Sequence, residues 1–234
     1  MPFRFYFDPT YVLLIPAILL ALYAQARVKS TYSKYIRVPS RSGITGAQAA
    51  RELLEQNGVY DVTVERTSGR LSDHYDPRSK TLRLSSEVYG SSSLAALGIA
   101  AHETGHALQH AEEYYLLRLR SAIVPIANIG SSLALPLLIL GLIFSYPTLV
   151  LIGVLAFSFA VLFQLITLPV EYNASNRAIA ALEAGNMLYR DETGPTRKVL
   201  SAAALTYVAA TLMAVTQLLR LLLLSGLLGD RRRQ

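Results

Sequence analysis

The sequence predicts a mainly α-helical integral membrane protein, with three to four membrane helices and a small water-facing portion that carries short strands. Three observations lead there. Hydrophobic residues make up 52% of the 234-residue chain and its mean hydropathy is +0.35, too apolar for an ordinary soluble domain. Several uncharged runs approach or exceed the roughly 20 residues that a helix needs to cross a bilayer. Between the first and second of these runs, residues 30 to 92 are polar enough to face water. The net charge of +6 does not point to nucleic acid, because the basic residues flank the apolar runs, where membrane orientation accounts for them. No cysteine is present, which excludes disulfides and thiolate metal sites.

The first run, Tyr11 to Ala26, is long enough with its flanks to span a membrane. Its end, Ala24-Gln25-Ala26, resembles a signal-peptidase site, but the charges run the wrong way for a cleaved leader. Arg4 is opposed by Asp8 before the run, whereas Arg27, Lys29, Lys34, Arg37 and Arg41 follow it. That order predicts an anchor over residues 1–29 with its N-terminus outside. Residues 30–120 then form a portion facing the cytoplasm. In it, Thr45 and Gln48 make a capping-box signal for a helix over Ala47 to Gln56, which Asn57-Gly58 ends. Val62 to Glu65 and Thr81 to Leu84 alternate as short strands, and the polar stretch between them reads as a loop. An exposed strand edge there is where an extended peptide can pair.

Ser91, Ser92 or Ser93 is placed to cap a helix running to about Leu119. Ile123 to Phe144 and Thr148 to Leu168 follow, joined by the uncharged turn Ser145-Tyr146-Pro147. They predict a membrane hairpin over 121–168, both of whose ends lie on one side. Residues 169–198 return to that side as a helix and polar connector. Residues 199–234 hold one more apolar stretch, interrupted by Arg220 and followed by Arg231-Arg232-Arg233. A single span would put those three arginines outside, against the positive-inside tendency. Two arrangements therefore stay open for it: one span, or a broken, hairpin-like pair of helices.

The capped helix contains His102-Glu103-Thr104-Gly105-His106. Residues four apart share a helix face, so His102 and His106 can reach one ion while Glu103 projects beside it. Zinc takes nitrogen and carboxylate ligands and, in a catalytic site, keeps a position open for water. Glu103 stands where it would take that water's proton. The approach to the motif, Leu94 to Ala101, is apolar, and burying two imidazoles and a carboxylate is costly unless they are partnered. A single Zn2+ is the expected cofactor.

Two histidines need a third ligand. His110 is excluded by helix rise: eight residues from His102 is about 12 Å along the axis. Glu171 is the better candidate, because the returning hairpin brings it back to the side of the motif. An oxyanion donor is also required, with His74, Tyr75, Arg177 and Tyr207 as candidates.

Ser72-Asp73-His74-Tyr75-Asp76-Pro77, Leu84 to Tyr89, Ala95 through Gln109 and Leu168 to Ala178 together resemble the YugP-like neutral zinc metallopeptidases of bacterial membranes. These are related in layout to gluzincins of the HtpX type, and the resemblance covers nearly the whole chain. It implies a multi-pass peptidase of the bacterial plasma membrane, its site at the cytoplasmic face. His102, His106 and Glu171 would be zinc ligands and Glu103 the catalytic acid/base. The resemblance departs at Ser175, where gluzincins often carry an aspartate that orients a metal histidine. Asn173, Ser175 and Asn176 are the local candidates for that task.

The expected partners are a protein or peptide substrate and the bilayer. Unfolded or membrane-embedded proteins suit the site's position, in a role such as membrane-protein quality control. Small-residue faces at Gly98, Ala101 and Gly105, or Gly130 and Ala134, suit close helix packing within the chain, in a homo-oligomer or against a membrane partner. The alternative is a non-cleaving scaffold or regulatory subunit that keeps a zinc site; Glu103 counts against it, since a structural site needs no base. A metal transporter is disfavoured by spans almost without ionisable residues.

Overall fold

The computed structural model describes residues 9–226. Arg4, Asp8 and Arg231 to Arg233, used above for orientation, lie outside them. A 3-10 turn at Pro9–Leu14 leads into α1, Ile15–Tyr35. Next comes α2, Gly46–Gln56, where Thr45 and Gln48 form the reciprocal capping box that the sequence announces. Three strands follow, β1 Thr63–Thr67, β2 His74–Asp76 and β3 Thr81–Ser85, then the short α3, Ser86–Tyr89. The motif helix α4 is Leu94–Ala111, capped by Ser93, whose side chain accepts from the Ala96 amide. Three long helices complete the fold: α5 Tyr115–Ile143, α6 Pro147–Ala184 and α7 Arg190–Leu224.

Among the described residues, four helical segments, Pro9–Tyr35, Tyr115–Ile143, Pro147–Ala184 and Arg190–Leu224, are long and apolar enough to cross a membrane. The last bears on the alternatives left open: within the described residues the C-terminal stretch is one continuous helix, with no break at Arg220. Arg220 is accommodated by cation–π contact, its guanidinium 3.8 Å from the Tyr11 ring centroid, and by donation to Thr10 Oγ1 at 3.1 Å.

The sheet order is β1-β3-β2, with β3 parallel to β1 and antiparallel to β2. The stretch expected as a loop thus contains a third strand. Three residues are too few to show alternation, and side-chain anchors hold it instead. Asp73 accepts from the Ser85 amide at 2.7 Å and from its hydroxyl at 3.2 Å. Asp76 closes the following turn by accepting from the Arg78 amide and the Ser79 hydroxyl.

Two further expectations are corrected. The motif helix stops at Ala111, not near Leu119, in a Schellman turn: Tyr114 N–H donates to Gln109 O and Glu113 N–H to His110 O, with Glu113 at φ +53°. A non-glycine residue in that left-handed position hides the signal. Nor does a new helix begin near Glu171. Instead α6 runs unbroken through Pro169, because a proline costs a helix one hydrogen bond and packing can hold the rest.

The chain folds as two units. One, Ala24–Leu119 with Thr167–Thr206, contains the sheet and α4. Alanines let α4 pack on both sides: Ala96 and Ala100 join Leu82, Leu84 and Val88, while Leu97 and Ala101 join Leu53, Ala178 and Leu182. The other unit takes in the described residues up to Tyr23, Arg120–Ile166 and those from Tyr207 onward. There α5 meets α6 so closely that a Cβ on Gly130 would lie 2.5 Å from the Ala156 carbonyl oxygen. Ile129, Leu133, Ile143 and Phe144 remain exposed, as lipid-facing side chains would be.

Candidate metal centre

On α4, His102 and His106 are one turn apart, and their rings meet edge to face with centroids 4.8 Å apart. On α6, Glu171 is 2% exposed, so it is not a solvated carboxylate. Its Oε2 lies 3.3 Å from His102 Nε2 and 3.5 Å from His106 Nε2. One ligand atom from each of the three residues falls within 4.8 Å of the others. Glu103, next in the helix, is half-buried.

Gly105 makes this approach attainable. A Cβ there would stand 2.7 Å from the Ala174 carbonyl oxygen, closer than side chains tolerate. The glycine inside the motif therefore lets the backbone of α4 settle against α6 one turn beyond Glu171.

The outer nitrogens of the imidazoles are held as well. His102 Nδ1 is 3.1 Å from Ser175 Oγ. His106 Nδ1 is 3.0 Å from Gln109 Oε1. Gln109 is fully buried, and its Nε2 donates to Val170 O at 2.9 Å and Asn173 Oδ1 at 2.8 Å. Both are acceptors, so the amide has one orientation and Oε1 must accept from His106 Nδ1–H. His106 is thereby fixed through Nδ1, which directs Nε2 toward Glu171. The serine that replaces the expected aspartate holds one histidine, and a glutamine absent from the sequence candidates holds the other. Its only signal in the sequence is a polar, uncharged residue three positions after His106.

A Gln109→Leu variant keeps the bulk and removes the acceptor. It is expected to bind zinc about 10- to 100-fold more weakly than the parent in a competitive chelator titration.

The electrostatics also suit a cation. Burial, the largest influence on His106, pushes its pKa down, but the hydrogen bond to Glu171 and the charges of Glu103 and Glu171 outweigh it and leave the group above its ordinary value. The pocket thus favours positive charge despite its burial. Two nitrogens on anchored imidazoles and one carboxylate oxygen match the donor set of a three-ligand zinc site.

The remaining sequence candidates are engaged elsewhere. His110 Nδ1 lies 2.8 Å from the Tyr75 hydroxyl, tying α4 to β2. His74 Nδ1 meets Ser72 O at 2.8 Å. Arg177 donates to Asn173 Oδ1 and to Glu112 Oε1, both at 2.7 Å, bracing the end of α4 against α6. Tyr207 belongs to the other unit.

No solved structure matches the chain. A Bacillus subtilis (strain 168) protein named "Putative membrane protease YugP" is 48% identical over 213 residues, covering 91% of this chain and 94% of its own length. The profile of the family described as "Putative neutral zinc metallopeptidase" matches residues 10–226. That span takes in the strands, the motif helix and the helix bearing Glu171, and the chain belongs to this neutral zinc metallopeptidase family.

Proposed function

We propose that the protein is a membrane-embedded zinc endopeptidase that hydrolyses peptide bonds of protein substrates at the cytoplasmic face, with His102, His106 and Glu171 as zinc ligands and Glu103 as acid/base. The observation that carries the reading is the convergence of His102 Nε2 and His106 Nε2 on one Glu171 oxygen. Bound there, zinc supplies Lewis acidity, which polarises a scissile carbonyl and makes a water acidic near neutrality. Glu103 then takes a proton from the attacking water on its carboxylate and passes it to the leaving amine nitrogen. Ser175 and Gln109 keep the imidazoles oriented throughout.

Orientation is supported by charge. Arg27, Lys29, Lys34, Arg37 and Arg41 follow the apolar run of α1; Arg118 and Arg120 precede that of α5; Arg197 and Lys198 precede that of α7. The turn between α5 and α6 has none, so these nine basic residues fall on the side of the motif and outnumber the three, Arg231 to Arg233, that follow the last apolar run. Substrates within reach there are unfolded segments of membrane proteins, consistent with a quality-control role.

The purified full chain, incubated with an unfolded protein such as casein, is expected to cleave it, to stop when zinc is chelated and to resume when zinc is restored. Cleavage that persists in fully demetallated protein would refute the proposal.

A further inference from the structure

A second polar site lies away from the metal centre. In the sheet-bearing unit, a cavity of about 290 Å³ is lined by Arg27, Ser30, Thr31, Lys34, Tyr35 and Lys198. Five of these come from α1, where positions 27, 30, 31 and 34 follow the i, i+3, i+4, i+7 spacing of one helix face. The sixth comes from the first turns of α7. Tyr32 and Tyr35 pack with Val199, which joins the two helices beside the cavity.

The lining holds three cations and no acid. Carboxylates on the neighbouring elements are engaged elsewhere: Glu87 with Tyr32 and Arg70, Asp191 with Arg41, and Glu192 with the amides of Arg41 and Tyr189. Arg27, Lys34 and Lys198 are exposed, whereas Thr31 and Tyr35, 7% and 8% exposed, form a buried floor.

Position along the chain supplies the second argument. Arg27 is the first charge after the uncharged run from Pro9, and Lys198 is the last before the uncharged run that begins at Val199. Both cations therefore stand where an apolar helix leaves hydrocarbon for the headgroup layer, the depth of a lipid phosphate. Basic pockets between membrane helices at that depth take anionic headgroups.

We infer that this cleft binds the phosphate of an anionic membrane phospholipid, with Arg27, Lys34 and Lys198 supplying charge and Thr31 a hydroxyl donor, while the Ser30 hydroxyl donates to Arg27 O. The inference rests on the membrane reading of the apolar helices and is independent of catalysis. The full chain in neutral detergent is mixed with phosphatidylglycerol, with phosphatidylcholine or with inorganic phosphate, and bound lipid is read by native mass spectrometry and the shift in Tm.

Phosphatidylglycerol is expected to be retained at least about tenfold better than phosphatidylcholine and to raise Tm. The combined Arg27→Gln, Lys34→Gln, Lys198→Gln variant should lose that preference. A control carrying Arg66→Gln, Arg78→Gln and Lys80→Gln, which removes equal charge from the sheet region, should keep it. Equal retention of the two lipids by the parent, or equal loss in both variants, would overturn the site. The same Tm rise with inorganic phosphate would overturn the lipid assignment. Peptidase activity enters none of these readouts, so failure here and failure of the zinc mechanism are separable.

Discussion

Glu103→Gln is expected to lower the turnover of an unfolded protein substrate by about 10²- to 10⁴-fold, the range for losing a positioned general acid/base, while leaving one zinc per chain. The amide is nearly isosteric with the carboxylate but has no basic oxygen to accept a proton, so nothing in the packing of α4 need change. Glu103 is not one of the three residues that converge, and so zinc content should hold. Turnover measured with metal analysis on the same preparation checks both halves. If cleavage survives unchanged, Glu103 is not the base. If neither the parent nor the variant cleaves although both hold zinc, the chain is a non-cleaving scaffold.

The second large effect concerns the third ligand. Glu171→Ala should drop zinc from about one per chain to near zero, since two imidazoles alone make an incomplete site. His110→Ala should retain it, because that ring is bonded to Tyr75 rather than directed at the metal centre. Tm and zinc read together keep the comparison clean: His110→Ala loosens the link between α4 and β2, so it should melt earlier and still carry metal. Zinc lost on His110→Ala but kept on Glu171→Ala would overturn the ligand set.

The elements legible in the sequence are those whose signals are local. The Thr45 capping box, the Ser93 cap and the uncharged runs each act through neighbours a few residues away, so chain order reveals them. The strand at His74–Asp76 is not legible, because its anchors are Asp73 to Ser85 and Tyr75 to His110, contacts that only the folded chain creates. The end of α4 escapes for another reason: Glu113 takes a left-handed conformation that glycine or asparagine ordinarily advertises. At the metal centre, spacing alone brings His102 and His106 together and the hairpin argument points to Glu171. Gln109 stays hidden because a neutral amide advertises no charge, and its part depends on the carbonyl of Val170 and the side chain of Asn173 across the helix interface.

If the zinc site proposed above forms, the unbroken course of α6 sets when it can be completed. His102 and His106 leave the ribosome well before Glu171, and the residue that completes their set is built into the same rod as the apolar run from Pro147. On that reading, a chain whose hairpin has not yet entered the bilayer would hold two of the three ligands. Insertion would then be the maturation step, and a nascent or mislocalised copy would stay inert until the membrane has received it.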